Sequence, residues 1–289
     1  MAKKTGEMTP LMRQYWDIKS LHNDKILLFR MGDFYELFYD DAIKASPILG
    51  VTLTQRNKKA EDQTPMCGFP HHSVAGPVNK LLNAGFKVAI CDQVEDPALA
   101  KGIVKRAVTR ILTPGMVYDS ETLDQTKAHY IACIDENQIS FIDTTTGECF
   151  YFKSKLLQEK IKLLEVMPVV EIVVQNQSED WIKSNNLCDR FVFSECLPER
   201  QLSSQDRLLE YIKSLSNSEL LQIIRPFEPR EFEHRLQISQ TTLKHLEIFS
   251  NYKGEALGSL YHAINRTKTS AGARLLRQYL CFPLRNKTQ

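Results

Sequence analysis

Several features that mark other classes of protein are missing from this sequence of 289 residues. No apolar run approaches the ~18 residues that a membrane-spanning helix needs, and the first residues lack the apolar segment of a signal peptide. The seven cysteines are scattered, odd in number and without a C-x-x-C pair. That pattern is typical of reduced thiols and not of disulfides or a zinc site. We therefore expect a cytoplasmic protein.

Nucleotide-binding motifs and repeats are also missing. No G-x-x-x-x-G-K-[ST] sequence occurs, which excludes ATP binding through a loop of that type. There is no internal repeat and no low-complexity tract. The composition is that of a globular protein, with 43% hydrophobic and 25% charged residues. The length predicts two or three domains of roughly 100–150 residues each.

The charge is distributed unevenly along the chain, although the net charge is only +2. Residues 1–110 have a net charge of +4, residues 111–232 of −8 and residues 233–289 of +6. Lys and Arg neutralise phosphates when a protein binds a nucleic acid. We therefore expect the two basic ends, and not the acidic middle, to approach a polyanion. The alternative is ordinary solvated surface charge.

Helix and strand patterns alternate through most of the chain, which predicts the α/β class. Thr9 before Pro10 predicts the start of a helix, and apolar runs predict strands at 25–30 and 51–54. We predict a small mixed α/β domain at 1–118, a linker at 119–127, a second α/β domain at 128–232 and an all-α segment at 233–289.

An aromatic and acidic run at residues 30–41 follows the first strand pattern. Alternate side chains of an extended backbone point to the same face, so Phe34 and Glu36 would project together. A ring beside a hydrogen-bond acceptor suits stacking on a base and hydrogen bonding to its edge. The alternative is that Phe34, Tyr35 and Phe38 are core aromatics, which are more common.

Four sequence blocks within residues 9–118 match, in the same order, those of a known protein family. Four blocks in order are more specific than one short motif. They read FRMGDFYELF from Phe29, TPMCGFPHH from Thr64, VAICDQVEDP from Val88 and RILTPG from Arg110. They resemble the mismatch-recognition domain of the bacterial MutS family of DNA mismatch-repair proteins. The resemblance implies that Phe34 enters the minor groove and stacks on a mispaired or unpaired base, and that Glu36 hydrogen-bonds to that base.

Insertion of such a wedge unstacks the bases. A mismatch lowers the cost of unstacking, so DNA deformability would provide much of the discrimination. The residues after Glu36 are expected in the core, namely Leu37, Phe38 and Tyr39. Alternation of side chains along a strand would, however, place Phe38 on the same face as Phe34. We therefore expect the backbone to bend or change structure soon after Glu36.

The resemblance extends the DNA-binding site beyond these two residues. Segment 65–68 would lie beside the wedge, and a plain turn is the alternative. Arg56 and Arg106 occupy positions that are basic in relatives and are expected to contact phosphates, whereas Lys58 and Lys59 are candidates from loop charge alone. The predicted DNA-binding residues are Phe34, Glu36, Met31, Arg56, Pro65, Met66, Gly68 and Arg106.

Residues 128–232 resemble the connector domain of the family, which has a ribonuclease-H-like fold and helps to dock the repair partner MutL. The matching block reads FIDTTTGE from Phe141, whereas segment 203–207 departs from the family pattern. Nucleases of this fold hold Mg²⁺ on a strand Asp, so a metal-dependent nuclease centred on Asp143 is one alternative. A turn role for Asp143 is the simpler one. A protein-docking module without DNA binding is a further alternative function.

Residues 233–289 resemble the beginning of the family's core or lever domain. Full-length relatives continue into an ATPase domain that uses ATP and Mg²⁺, and they work as homodimers. The resemblance implies a non-catalytic fragment whose partners are mismatched duplex DNA and MutL, in the bacterial cytoplasm and associated with the nucleoid. No cofactor or metal is expected in this chain, because Cys67, His71 and His72 have no second ligand pair at zinc spacing.

Overall fold

Two compact units, Met1–Thr122 and Leu123–Gln289, divide the chain. The computed structural model describes residues 9–56, 64–95, 102–116, 124–175, 180–196, 202–215, 218–231, 235–236 and 238–286. Each unit contains a mixed sheet with packed helices, which confirms the α/β class. No helix within these ranges is long and apolar enough to cross a membrane. The predicted linker at 119–127 lies mostly outside them.

The first unit is built on a six-stranded sheet of order β3-β4-β2-β1-β5-β6. Strands β1 and β5 are parallel, and the other neighbouring strands are antiparallel. The elements are α1 Pro10–Leu21, β1 Ile26–Met31, β2 Phe34–Phe38, α2 Tyr39–Leu49, β3 Thr54–Arg56, β4 Thr64–Pro70, α3 Ala75–Asn83, β5 Val88–Gln93 and β6 Arg106–Leu112.

Helices cover both faces of this sheet, which is why β1 is a continuous apolar run. Leu28 and Leu37 belong to the core under α2 and α3. Leu27, Phe29 and Phe38 belong to a second core around Tyr15 of α1. We call the side that faces α1 the front face and the opposite side the back face.

The predicted start of α1 is confirmed. The Thr9 side chain accepts a hydrogen bond from the backbone of Met12, and Pro10 occupies the first turn. A buried ion pair then ties α1 to α2, because Lys19 Nζ lies 2.9 Å from Asp41. Asp41 also accepts from the backbone N–H of Leu27 at 3.0 Å, so one carboxylate joins two helices and the central strand β1.

One strand prediction in this unit was wrong, and the turn alternative for segment 65–68 is excluded. The strand predicted at 51–54 forms later, as β3. Segment 65–68 is not a turn but the middle of β4, which pairs along β2 from Phe34↔Pro70 to Phe38↔Met66. The turn reading relied on Pro and Gly as turn residues, and the pairing strand β2 overrides that local preference.

The second unit has a six-stranded sheet of order β11-β10-β7-β8-β9-β12. Strands β7, β8 and β9 are antiparallel neighbours, and β10 and β11 join by parallel pairing. The elements are β7 Tyr130–Ile134, β8 Gln138–Asp143, β9 Glu148–Lys153, α4 Leu157–Val166, β10 Val169–Val174, α5 Asp180–Ser184, β11 Val192–Glu195, α6 Ser204–Ser214, α7 Ser218–Ile223, β12 Glu228–Pro229, α8 Gln240–His245, α9 Leu260–Ile264 and α10 Ser270–Cys281.

The last helices of this unit share its core. Leu243 of α8, Cys281 of α10 and Phe282 belong to the same apolar cluster as Phe141 and Leu164. The ribonuclease-H-like name for residues 128–232 and the boundary at 232 stay predictions.

Candidate nucleic-acid interface

A tight hairpin presents the aromatic residue that the sequence singled out. Strands β1 and β2 pair up to Met31↔Phe34, so that only Gly32 and Asp33 form the loop. Gly32 has φ 57°, the left-handed conformation that two-residue hairpins require. Phe34 is therefore the first residue of β2 at the sheet's end, and this residue is 47% exposed.

Strand pairing brings nearly all of the predicted DNA-binding residues to the front face. Residues directly opposite in antiparallel strands share a face, and Glu36 lies opposite Phe29 and Gly68. The predicted residues on the front face are Met31, Phe34, Glu36, Arg56, Met66, Gly68 and Arg106. Pro65 is the exception, because β-strand alternation turns its side chain to the back face.

Phe38 is buried, as predicted, and the expected change of backbone structure after Glu36 comes only after Phe38, so it does not move Phe38 off the face of Phe34. Strand β2 stays extended from Phe34 to Phe38, so both rings are on the front face. They differ because α1 covers only one end of that face: Tyr15 packs against Phe38 at a ring distance of 5.2 Å. The backbone changes only at Tyr39, whose φ is 52°. Leu37 is fully buried on the back face, also as predicted.

Glu36 lies half-buried in the middle of the front face. Burial raises the pKa of its carboxyl group above the usual value of 4.5, and Arg56 and Arg106 partly oppose that rise. Gly68 on β4 makes room for this side chain. A Cβ atom at Gly68 would lie 2.8 Å from the Tyr35 carbonyl oxygen and 3.5 Å from Glu36 Cγ.

The Arg106 side chain is buried and makes its hydrogen bonds within the first unit. Only 8% of the residue is exposed, and its guanidinium donates to the carbonyl oxygens of Arg30 and Val104 and to the side chain of Gln14. It also lies 5.1 Å above the Phe29 ring. This guanidinium therefore ties β1, β6 and α1 together, and burial lowers its pKa.

Arg56 has a different environment. Its guanidinium lies 5.6 Å from the Phe38 ring, and its Nη1 atom is buried with no hydrogen-bond partner among the residues that the structure describes. Lys58 and Lys59 fall outside those residues. Of the two predicted phosphate-contacting arginines that the structure describes, Arg56 is the one with a buried guanidinium nitrogen that lacks a hydrogen-bond partner there.

The structure gives Cys67 and His71 local roles. Cys67 is buried, its thiol approaches the carbonyl oxygen of Ala42 at 3.7 Å, and burial raises its pKa to about 11. His71 Nδ1 lies 3.1 Å from the carbonyl oxygen of Asp33, beside the hairpin loop. Within the described parts of the chain, no group of three or more potential metal ligands occurs.

Sequence reasoning missed a polar network on the back face. Tyr35 donates to Asp92 Oδ1 at 2.6 Å, and Thr109 donates to Asp92 Oδ2 at 2.6 Å. Tyr35 stands between Phe34 and Glu36 in the chain, but the three network residues are far apart in sequence. Only the strand order brings them together.

Asp143 in the second unit ends β8 in a local turn. Its Oδ1 atom accepts from the backbone N–H and the hydroxyl of Thr145, at 2.8 and 2.6 Å. This is an Asx turn. A two-metal nuclease site needs several neighbouring carboxylates, and the described residues place no such cluster around Asp143. The geometry therefore favours the turn role.

Comparison with known proteins gives consistent matches. MutS domain I matches residues 9–121 and MutS domain III matches residues 241–289. The curated relative from Streptococcus agalactiae is 38% identical over 98% of this chain, and that from Chlorobaculum tepidum is 34% identical over 98%. Both are named DNA mismatch repair protein MutS, and this chain spans 35% and 36% of their lengths, respectively.

Proposed function

The chain belongs to the MutS family of DNA mismatch-repair proteins, and from that membership we propose that its first unit recognises mispaired or unpaired bases in duplex DNA. The supporting observation is the pair formed by Phe34 and Glu36. An exposed ring stands at the tip of a tight hairpin, and a half-buried carboxyl group lies two residues away on the same face.

Phe34 acts as the wedge in this proposal. A two-residue loop between two central strands holds the ring at a fixed position, so little ordering is needed on binding. Insertion between base pairs costs a few kcal/mol of unstacking, and a mismatch lowers that cost. Stacking of an aromatic side chain on a base returns about 1–3 kcal/mol. The balance is therefore favourable mainly where pairing is already weak.

Glu36 adds a hydrogen bond to the displaced base. A carboxylate next to DNA phosphates is repulsive, so this residue penalises binding to ordinary duplex. Burial raises its pKa, which helps the group to take up a proton beside a base and donate a hydrogen bond. Gly68 leaves the space that this side chain occupies.

The basic residues divide into two roles. We propose that Arg56 contacts the phosphate backbone, since this cation is only partly buried on the front face and its Nη1 atom has no hydrogen-bond partner among the described residues. Arg106 acts by supporting β1 from inside the domain. Phosphate contacts make affinity depend on salt, and base contacts provide the discrimination.

The wider role follows from family membership alone. We propose mismatched DNA as the ligand of the longer protein to which this sequence corresponds. Docking of MutL by residues 128–232, a homodimer, and the use of ATP and Mg²⁺ stay predictions. So does association with the nucleoid.

Binding titrations test the proposal. The 289-residue chain is titrated at low salt with a matched duplex and with duplexes that contain a G·T mismatch or one unpaired T. Phe34→Ala is expected to remove the preference for the defective duplexes, because it removes the stacking ring. Tyr252→Ala is a matched control, since Tyr252 is an 83% exposed aromatic residue in the second unit. An unchanged preference in Phe34→Ala would contradict the proposed wedge.

A further inference from the structure

The wedge strand is held from behind by a hydrogen-bonded brace, which we define as Tyr35, Asp92 and Thr109. Tyr35 is 5% exposed and lies on the back face, between the two front-face residues of the site. Its hydroxyl donates to Asp92 Oδ1, and the Thr109 hydroxyl donates to Asp92 Oδ2, each at 2.6 Å. Both carboxylate oxygens are therefore engaged by strands on either side.

A β-bulge places Thr109 in this brace. Ile90 pairs with Arg110 and Cys91 pairs with Val108, so Thr109 is the extra residue between them. Its hydroxyl also lies 3.3 Å from the Ile90 carbonyl oxygen. Bulges re-aim a side chain and are frequent near functional sites.

The brace reaches across β1. Tyr35 is on β2 and lies opposite Arg30 of β1, whereas Asp92 is on β5, the next strand along. The Arg30 guanidinium lies 5.7 Å from the Tyr35 ring. Hydrogen bonds between neighbouring strands hold most sheets, but the Tyr35–Asp92 bond joins β2 to β5, which are not neighbours. The Thr109–Asp92 bond then continues the brace to β6.

We propose that Tyr35, Asp92 and Thr109 are positioning residues that fix the end of β2, and with it the direction of Phe34 and Glu36. The inference rests on the proposed function. A site works when supporting contacts hold its residues close to the productive geometry. A looser strand end would have to become ordered when Phe34 inserts into DNA, and this entropic cost would weaken binding to the mismatched duplex. Binding to matched duplex through phosphate contacts needs no insertion of Phe34 and therefore does not carry this ordering cost.

The competing explanation is that Tyr35 only packs the core. Its ring lies 6.1 Å from the Phe69 ring, and Tyr35→Phe keeps that ring while it removes the hydroxyl. The matched control is Tyr211→Phe in the second unit, where another buried tyrosine donates to a buried carboxylate, that of Glu171. Both variants lose one hydrogen bond of the same type, but only one of them adjoins the wedge.

DNA binding gives the first readout. Tyr35→Phe is expected to lower the preference for mismatched over matched duplex on the order of threefold to tenfold, with matched-duplex affinity unchanged. Tyr211→Phe should keep the wild-type preference. Asp92→Asn retains an acceptor for Tyr35 and should lose less preference than Asp92→Ala. Suppose that wild type prefers mismatched duplex and Phe34→Ala does not. If Tyr35→Phe then has the same mismatch preference as wild type, the positioning role is overturned. A wild type without preference would contradict the proposed function instead.

Amide hydrogen exchange gives a second readout that needs no DNA. The amides of residues 34–36 should exchange at least about threefold faster in Tyr35→Phe than in wild type, because the strand end opens more often. In Tyr211→Phe they should exchange at the wild-type rate. Equal exchange in Tyr35→Phe and wild type would overturn the proposal, whatever the binding data show about the wedge.

Discussion

Replacing Gly68 with alanine tests the close approach of β4 to β2 beneath Glu36. The new Cβ atom would lie 2.8 Å from the Tyr35 carbonyl oxygen, which is shorter than ordinary van der Waals contact. That oxygen belongs to the backbone of the wedge strand, so the contact cannot be relieved by a side-chain rotation. The new Cβ atom would also lie 3.5 Å from Glu36 Cγ. The strand therefore has to shift.

The size of the effect follows from two opposing contributions. Overpacking of a well-packed site costs about 1–3 kcal/mol, and alanine in a strand regains roughly 0.5–1 kcal/mol of backbone entropy relative to glycine. We expect Gly68→Ala to lower the free energy of unfolding by about 1–2 kcal/mol. Gly76 in α3 is the matched control, because a Cβ atom there meets nothing within 4 Å. Gly76→Ala should raise the free energy of unfolding by about 0.5–1 kcal/mol.

Urea denaturation followed by circular dichroism measures the free energy of unfolding of both variants, and the two values should differ by about 1.5–3 kcal/mol. Duplex titration of the folded variants measures the functional effect. Gly68→Ala should lower mismatch preference, because the shift displaces Glu36, whereas Gly76→Ala should keep it. If Gly68→Ala were as stable as Gly76→Ala, the strands would not approach as closely as the structure shows.

Three further substitutions have distinct expected outcomes. Because burial raises the pKa of Glu36 above 4.5, the wild type loses stability as the pH rises from about 4.5 through that raised pKa. Glu36→Gln should therefore be more stable than wild type at pH 7 and equally stable near pH 4, measured by denaturation at both pH values. Arg106→Ala should lose about 2–4 kcal/mol of stability, since it removes three hydrogen bonds; wild-type stability would refute its internal role. Arg56→Ala should lower the slope of log affinity against log salt by about one, and an unchanged slope would exclude a phosphate contact.

Local sequence patterns predicted the elements whose signals lie within a few residues. The Thr9 and Pro10 signal gave the start of α1, because capping is a local hydrogen bond. The continuous apolar run of β1 predicted a strand, and the structure buries that strand on both faces. Strand β4 was missed because Pro65 and Gly68 favour turns locally, and only pairing with β2 makes that segment a strand.

The sequence by itself determined that Phe34 and Glu36 share a face, since alternation is a property of any extended backbone. Tertiary structure decided which of the two front-face rings is exposed. Phe34 and Phe38 have the same orientation, but α1 packs its Tyr15 over Phe38 and leaves Phe34 open. Burial is a property of whatever element covers a face, and that element is distant in sequence. The same reason hid the internal role of Arg106 and the brace behind the wedge, which exist only because β1, β5 and β6 lie side by side.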